Sequence, residues 1–185
     1  PNLQDPIARA QFRDSQNRIR TMALIHERLY RSDDLARIDF APYLRELAGH
    51  LLSSYDSQQN GVTISVEADA ISLDVDTAIP CGLLINELVS NVLKHAFPDG
   101  RMGTIGIEML CGGDSHYRLV VRDDGVGMPE GFDYTKATSL GLRLVNSLTR
   151  QLGGTLEVHV GAGTTFVICI PLPHRDGIAL KGDFQ

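Results

Sequence analysis

The chain has 185 residues, of which 43% are hydrophobic and 22% are charged, a composition typical of a globular domain and too balanced for a disordered chain. The formal net charge of -6 argues against a nucleic-acid-binding protein, because phosphate contacts require clustered lysine and arginine, which are scattered here. The cysteines lack the spacing of a zinc site or a disulfide framework, and no apolar run approaches the roughly 20 residues that span a bilayer. We therefore expect a cytoplasmic chain without nucleic-acid or membrane contacts. Its missing initiator methionine suggests a piece of a longer protein, in which a membrane or sensor segment can lie upstream.

The first predicted element is a long amphipathic helix from Asp5 to Tyr30. Its apolar and small residues recur at helical spacing and form a stripe: Ala8, Phe12, Ser15, Ile19, Met22, Ala23, Leu29 and Tyr30. We expect this stripe to contact a partner helix, either from a missing upstream segment or from another chain, and the second alternative predicts a homodimer of the parent protein. Ser32-Asp33-Asp34 ends the helical pattern, and a second helix is predicted from Ala41 to Tyr55.

Downstream, the period of the hydrophobic pattern alternates between two and 3.6 residues. The predicted elements are a strand Val62–Glu67 with a short partner strand Ile71–Asp74, an apolar helix Thr77–Phe97, a hairpin of Thr104–Leu110 and Tyr117–Arg122, a helix Gly141–Leu152, and a final hairpin of Thr155–Val160 and Thr164–Ile170. Grouped strands with helices on one face predict an α+β two-layer sandwich preceded by the long helix. The expected organisation is a helical region at 1–56, a globular domain at 57–172 and a polar tail at 173–185.

The apolar helix carries the first cluster of polar residues, Glu87, Asn91 and Lys94, at positions i, i+4 and i+7 on one face. The amide oxygen of Asn91 suits a magnesium ion whose other ligands are phosphates and water. Lys94 can balance phosphate charge, and Glu87 can act as a general base towards an attacking nucleophile. His95 follows at the edge of this face, where it contacts a nucleotide or simply ends the helix. The alternative for the whole cluster is a solvated polar stripe.

The second cluster is the segment from Asp123 to Met128, in which Gly125 and Gly127 allow the backbone to approach a flat ligand. Asp123 ends an alternating strand, and its carboxylate can accept a hydrogen bond from an exocyclic amine such as that of adenine. Asp-Gly pairs are also common in ordinary turns, so this segment alone is a weak signal.

The third cluster, Ser139-Leu140-Gly141-Leu142, begins a helix whose first backbone N–H groups and dipole can bind phosphate. In the last strand, Thr165 is expected to form a hydrogen bond near the adenine edge, although threonine also simply suits a strand. Together the three clusters predict a site for ATP and Mg²⁺.

The order and spacing of these clusters resemble the catalytic domain of sensor histidine kinases, within the ATPase superfamily that also includes gyrase and heat-shock chaperones. The resemblance covers roughly residues 60 to 172 and implies the Bergerat ATP-binding fold. It also implies a lid over the nucleotide, for which only Met128 to Thr138 is available. So short a lid, in a chain without tryptophan, resembles the second histidine-kinase dimerisation type more than the related HWE kinases.

The N-terminal segment Ser15–Glu27 is similar to the second helix of the dimerisation hairpin in that subfamily. The first helix of such a hairpin carries the phosphoacceptor histidine, which is therefore expected to be absent from this chain. His26-Glu27 also resembles a phosphorylation site, but His26 shares the stripe of Phe12, Ile19 and Met22, which favours a packing role.

The resemblance implies a histidine kinase whose phosphoryl group passes to a histidine and then to an aspartate of a response-regulator receiver domain. Two alternatives remain at this level. A serine kinase resembling anti-sigma factors uses the same fold with a protein serine as acceptor. A non-enzymatic scaffold would bind nucleotide only to set its conformation.

Overall fold

The computed structural model describes residues 5–31, 37–55, 61–113, 115–129 and 139–172. The elements in chain order are α1 (Pro6–Arg31), β1 (Arg37–Asp39), α2 (Phe40–Ser54), β2 (Val62–Ala68), β3 (Ser72–Asp74), α3 (Val75–His95), a short 3-10 turn (Pro98–Gly100), β4 (Gly103–Gly112), β5 (His116–Asp123), α4 (Leu140–Gln151), β6 (Thr155–Gly161) and β7 (Gly163–Pro171). The predicted break at Ser32-Asp33-Asp34, the lid beyond Pro129 and the tail 173–185 lie outside the described residues.

Five strands form one mixed sheet in the order β2-β4-β5-β7-β6. β2 pairs in parallel with β4, and α3 lies between these two strands in the chain, as a parallel connection requires. The other neighbours are antiparallel, and β4–β5 and β6–β7 are the two predicted hairpins. The α+β class and both hairpins are therefore confirmed.

The expected pairing of the short strand β3 with β2 is wrong. β3 instead pairs antiparallel with β1, with Ile38 opposite Leu73, in a separate two-stranded ribbon. β1 has only three residues, too few to show an alternating pattern, and sequence analysis did not predict it. The partner of β2 in the main sheet is therefore β4, which follows α3 in the chain.

The helices cover one face of the sheet, and the core lies between the two layers. Alternate strand residues point into it, including Ile107 on β4, Val121 on β5 and Ile168 on β7, all fully buried. Leu84 and Leu88 of α3 are buried on the helical side. On the opposite face of the sheet, Glu108 pairs across strands with Arg118 and Arg122; the glutamate side chain is half-buried and the two arginines are more exposed. This arrangement is the two-layer sandwich.

α1 packs on the same chain, which the sequence analysis did not expect. Asn17, Thr21, Leu24 and Ile25 are buried against the other helices, whereas most of the predicted stripe faces away from them. Phe12, Ile19 and Met22 of the stripe are 55%, 68% and 40% exposed, and His26 is exposed beside them. His26 therefore has no packing role within the described part of this chain, and the stripe remains an open apolar face.

None of the helices in the described part of the chain combines the length and hydrophobicity needed to cross a bilayer.

Candidate functional site

α3 positions the first cluster of predicted site residues. The side chain of Asp74 accepts a hydrogen bond from the backbone N–H of Thr77 at 2.7 Å and caps the start of the helix. Helical spacing then places Glu87, Asn91 and Lys94 along one side, as predicted. Glu87 is only 4% exposed, which is unusual for a carboxylate and requires hydrogen-bond partners.

The partners of Glu87 are an arginine from α1 and its neighbour on α3. Arg18 donates from Nε to Oε1 at 2.7 Å and from its terminal nitrogen to Oε2 at 2.8 Å. Asn86 also donates to Oε1, at 2.9 Å. Lys94 forms a second ion pair with α1, to Asp14 at 2.6 Å. Arg18 and Asp14 lie in none of the three clusters that the sequence predicts for the site.

The start of α4 lies against the first cluster. A Cβ atom on Gly141 would be 3.0 Å from Oε2 of Glu87 and 3.5 Å from Oδ1 of Asn91, so the lack of a side chain permits this close approach. Ser139 occupies the N-cap position but forms no side-chain hydrogen bond to the first turn. Leu140 is 65% exposed and Leu142 is buried. The first and third clusters therefore meet, and the helix terminus offers its N–H groups there.

Asp123 lies at the end of β5 on the core-facing side, 8% exposed. Its Oδ1 accepts from the backbone N–H of Gly125 at 2.9 Å, and the backbone N–H of Thr164 also donates to its carboxylate. Burial raises the pKa of Asp123, while these two hydrogen bonds act in the opposite direction. Such a carboxylate is held by backbone groups in one orientation.

The loop after Asp123 is attached to the end of α3. Val126 donates its backbone N–H to the carbonyl of Ala96 at 3.0 Å, and a Cβ on Gly125 would lie 2.5 Å from that same carbonyl oxygen. The second cluster therefore adjoins the helix that carries the first. Gly127, with φ of 73°, passes close to the β6–β7 turn, and Met128 packs partly buried against the core.

His95 is the last residue of α3, one position before Ala96. Partial burial lowers its pKa, and the positive charge of the adjacent Lys94 lowers it further. This favours the neutral imidazole at the edge of the site.

A neighbouring acidic residue, Asp124, fixes the base of this loop, and the sequence analysis assigned it no role. Its side chain accepts from the backbone N–H of Thr104 at 2.7 Å, and Arg101 donates to its carbonyl oxygen at 2.9 Å. Both partners lie near the start of β4, so the loop is held from two sides.

Thr164, and not the expected Thr165, lies on the same side of the sheet as Asp123. Thr165 pairs with Arg122 and His159 and lies on the opposite face, so the structure does not bring its side chain together with Asp123. Thr164 is 6% exposed, in the same row of β7 as Phe166. Because side chains alternate between the two faces of a strand, an apolar Phe166 facing the core places Thr164 on the core side as well, and this signal is present in the sequence.

Gly163, which precedes Thr164, has φ of 102°, a conformation that L side chains rarely adopt. A Cβ there would overlap the carbonyl oxygen of Asp123. The glycine thus allows β7 to lie directly against the Asp123 loop.

The side-chain amide of Asn91 fits a magnesium ion that is bound together with a phosphate ligand. The side-chain amide nitrogen of Asn91 is buried and, among the described residues, has no hydrogen-bond partner. A half-turn of the amide exchanges its nitrogen and oxygen, so the oxygen can be presented at the same point. The described residues contain no group of three or more His, Cys, Asp or Glu arranged to hold a metal ion. An ion at Asn91 would therefore take most of its ligands from phosphate and water.

Two family profiles match the sequence. The profile described as "Histidine kinase-, DNA gyrase B-, and HSP90-like ATPase" matches residues 76–174, which is more than half of the chain. The profile HisKA_2, described as "Histidine kinase", matches residues 1–55. The second match covers α1, β1 and α2, and the first covers the sheet from β4 onwards together with α3 and α4.

Individual relatives agree with these profiles. The chain is 30% identical over 169 residues to the blue-light-activated histidine kinase 2 of Erythrobacter litoralis, covering 90% of this chain and 49% of the relative. It is 30% identical over 177 residues to the sensor histidine kinase PdtaS of Mycobacterium tuberculosis, covering 90% of this chain and 34% of that protein. The chain thus spans half or less of the length of these relatives.

Among solved structures, the histidine kinase domain of the Erythrobacter litoralis EL346 blue-light activated histidine kinase superposes with a TM-score of 0.78. The sequence identity is 30%, and the alignment covers 86% of this chain and 75% of that one. The similarity therefore includes the helical region as well as the sheet.

Proposed function

Because the chain belongs to the histidine kinase-, DNA gyrase B- and HSP90-like ATPase family, and its first 55 residues match a histidine kinase profile, we propose that it is the ATP-binding catalytic part of a sensor histidine kinase. It transfers the γ-phosphoryl group of ATP to a histidine outside these 185 residues. The phosphoryl group then passes to an aspartate of a response-regulator receiver domain, and the parent protein acts as a homodimer under an upstream sensor domain.

The observation that carries this proposal is the convergence of all three clusters on α3. A Cβ on Gly141 would contact Glu87 and Asn91, and the Asp123 loop is hydrogen-bonded to Ala96 at the end of the same helix. A nucleotide laid along α3 would have its base at Asp123 and its phosphates at the start of α4.

At the base end, the carboxylate of Asp123 accepts a hydrogen bond from the amino group of adenine. Its orientation is fixed by the backbone N–H groups of Gly125 and Thr164, and the side chain of Thr164 lies on the same face of the sheet. At the phosphate end, the first-turn N–H groups of α4 and the ammonium of Lys94 neutralise the triphosphate. Asn91 would hold a magnesium ion, which would supply positive charge to neutralise the phosphates during transfer.

In the transfer step, one nitrogen of the acceptor imidazole attacks the γ-phosphorus while the bond to the β,γ-bridging oxygen breaks and ADP departs. The carboxylate of Glu87 accepts a hydrogen bond from the other imidazole nitrogen and takes its proton as the phosphorus–nitrogen bond forms. The remaining residues align the reactants, which is the larger part of catalysis in phosphoryl transfer.

The test has two stages. Titration calorimetry with the non-hydrolysable analogue AMPPNP, with and without Mg²⁺, measures binding, and Asn91→Ala is expected to reduce the gain in affinity that Mg²⁺ provides. Radiolabelled ATP is then incubated with the chain and an added helix that carries an acceptor histidine. An acid-labile phosphoryl group that is lost when that histidine is replaced by glutamine supports the proposal.

Two outcomes would contradict it. An acid-stable phosphoryl group on serine would assign the chain to the serine kinases. Nucleotide binding with no transfer to any acceptor, including a parent protein that contains the preceding helix, would favour a nucleotide-binding scaffold.

A further inference from the structure

α1 holds two of the residues to which the proposed mechanism assigns a chemical role. Arg18 covers both carboxylate oxygens of Glu87, at 2.7 and 2.8 Å, and Asp14 binds the ammonium of Lys94 at 2.6 Å. Asp14 and Arg18 are one turn apart on α1, and their partners are two turns apart on α3 in the reverse order. The two helices therefore run antiparallel with complementary charges.

This arrangement closes Glu87 to an acceptor imidazole. Oε1 accepts from both Arg18 and Asn86, while Oε2 accepts from Arg18 and lies against Gly141. With 4% of the residue exposed, an imidazole can reach this carboxylate only after the guanidinium of Arg18 has moved away.

Asp14 competes with a triphosphate for the same cation. Its carboxylate also accepts a hydrogen bond from the hydroxyl of Tyr55 at 2.9 Å, and the guanidinium of Arg13 lies 4.8 Å from the centre of the Tyr55 ring. These contacts keep a negative charge beside Lys94, where it opposes a polyphosphate. Nucleotide phosphates and Asp14 cannot both take the ammonium of Lys94 without bringing like charges together.

We propose that the N-terminal half of α1 is an autoinhibitory element, held on α3 by Asp14 and Arg18, and that nucleotide binding at Lys94 displaces it. This inference rests on the proposed function, since it assigns Lys94 to phosphate and Glu87 to the acceptor. By linkage, α1 docking weakens nucleotide affinity by the same factor by which nucleotide weakens docking.

The composition of the α1–α3 contact is suited to reversible docking. Near the two ion pairs the buried residues are polar, with Asn17 on α1 and Asn86 and Ser90 on α3, and Oδ1 of Asn86 has no partner within the described residues. Partly exposed ion pairs and unsatisfied polar groups gain little over hydration, so separating them costs little. Further along α1, Leu24 and Ile25 are fully buried or nearly so and provide an anchor about which the first half can move.

The test compares the double variant Asp14→Asn/Arg18→Gln with a matched control, Arg28→Gln/Glu46→Gln. The control removes another ion pair of α1, between Arg28 and Glu46 at 2.8 Å, which is exposed and contacts no proposed site residue. We expect the Asp14/Arg18 variant to bind Mg-AMPPNP roughly 5-fold or more tightly than the wild type, within the usual range of allosteric coupling, and the control to bind unchanged. Hydrogen exchange should also show faster exchange of residues 5–21 in wild type when nucleotide is added.

The single variant Asp14→Asn is nearly isosteric and keeps the fold, so it provides a second measurement. Its affinity gain should be largest at low ionic strength and shrink as salt screens the Asp14 charge. If the variants bind nucleotide no more tightly than the control, or if nucleotide leaves the exchange of α1 unchanged, the autoinhibitory role is wrong. If neither wild type nor any variant binds nucleotide, the proposed function itself fails.

Discussion

Replacing Asp123 by asparagine tests the proposed base-recognition site directly. The aspartate is 8% exposed, and backbone N–H groups of Gly125 and Thr164 already donate to its carboxylate. In the variant, the amide oxygen must stay on those N–H groups, because an amide nitrogen there would oppose another donor. The NH₂ group of the variant then faces the amino group of adenine, where two donors meet.

The expected loss of affinity follows from these contacts. A hydrogen bond to a charged group contributes about 1.5–3 kcal/mol, and a buried donor without a partner costs about 1–3 kcal/mol. Allowing for water at the partly open site, we expect a loss of about 3 kcal/mol, or roughly 150-fold in Kd for ATP.

The assay is titration calorimetry with ATP and with inosine triphosphate, whose C6 oxygen accepts a hydrogen bond. Asparagine can donate to that oxygen, so the preference for ATP over inosine triphosphate should fall sharply or reverse in the variant. Asp69→Asn is a matched control, because Asp69 also accepts from a backbone N–H, that of Cys111 at 2.8 Å, but at the opposite end of β4. Unchanged ATP affinity, or an equal loss for both nucleotides, would refute this assignment of Asp123.

Three further predictions concern Asp123 and the adjacent start of β7. Thr164→Val should weaken ATP binding roughly tenfold, the equivalent of about one hydrogen bond, whereas Thr165→Val on the opposite face should leave the Kd unchanged. Gly163→Ala should lower stability by about 1–3 kcal/mol, seen as a reduced Tm in calorimetry, because φ is 102° and the added methyl overlaps Asp123. Gly161→Ala, with no atom within 4 Å of the added Cβ, is its control. Because burial raises the pKa of Asp123, the folded state binds its proton more tightly than the unfolded state, and this group's contribution to stability falls as pH rises through the raised pKa. The nucleotide-free Asp123→Asn variant should therefore gain stability relative to wild type as pH rises over that range. Urea unfolding of both proteins at several pH values measures this, and a difference between their midpoints that does not change with pH would contradict the prediction.

The helices and hairpins that shape the site could be predicted because their signals are local. Helix α4 was predicted to begin at Gly141 and begins at Leu140, and both hairpins were found from alternating patterns around glycine turns. The spacing of Glu87, Asn91 and Lys94 defines one helix face whatever the rest of the chain does. The residues of each cluster can therefore be identified from local sequence spacing alone.

Contacts between segments that are distant in the chain were harder to predict from the sequence. β3 pairs with β1, about 35 residues earlier in the chain, and not with the nearer β2. The alternating pattern predicts the strand that contains Thr165, but only the register against β5 shows that Thr164, and not Thr165, lies on the side of Asp123. Register decides which face a side chain occupies, since a shift of one residue moves it to the other side of the sheet.

Local sequence patterns specify the α+β class, the order of the helices and hairpins, and the three groups of residues with chemistry suited to ATP. Tertiary packing brings these groups together along α3, where a Cβ on Gly141 would contact Glu87 and Asn91. It also decided that α1 rests on that helix with Arg18 on Glu87, its apolar stripe turned outward. The physical reason is that helical and strand periods repeat within a few residues, whereas docking depends on which buried surfaces and charges fit across distant parts of the chain.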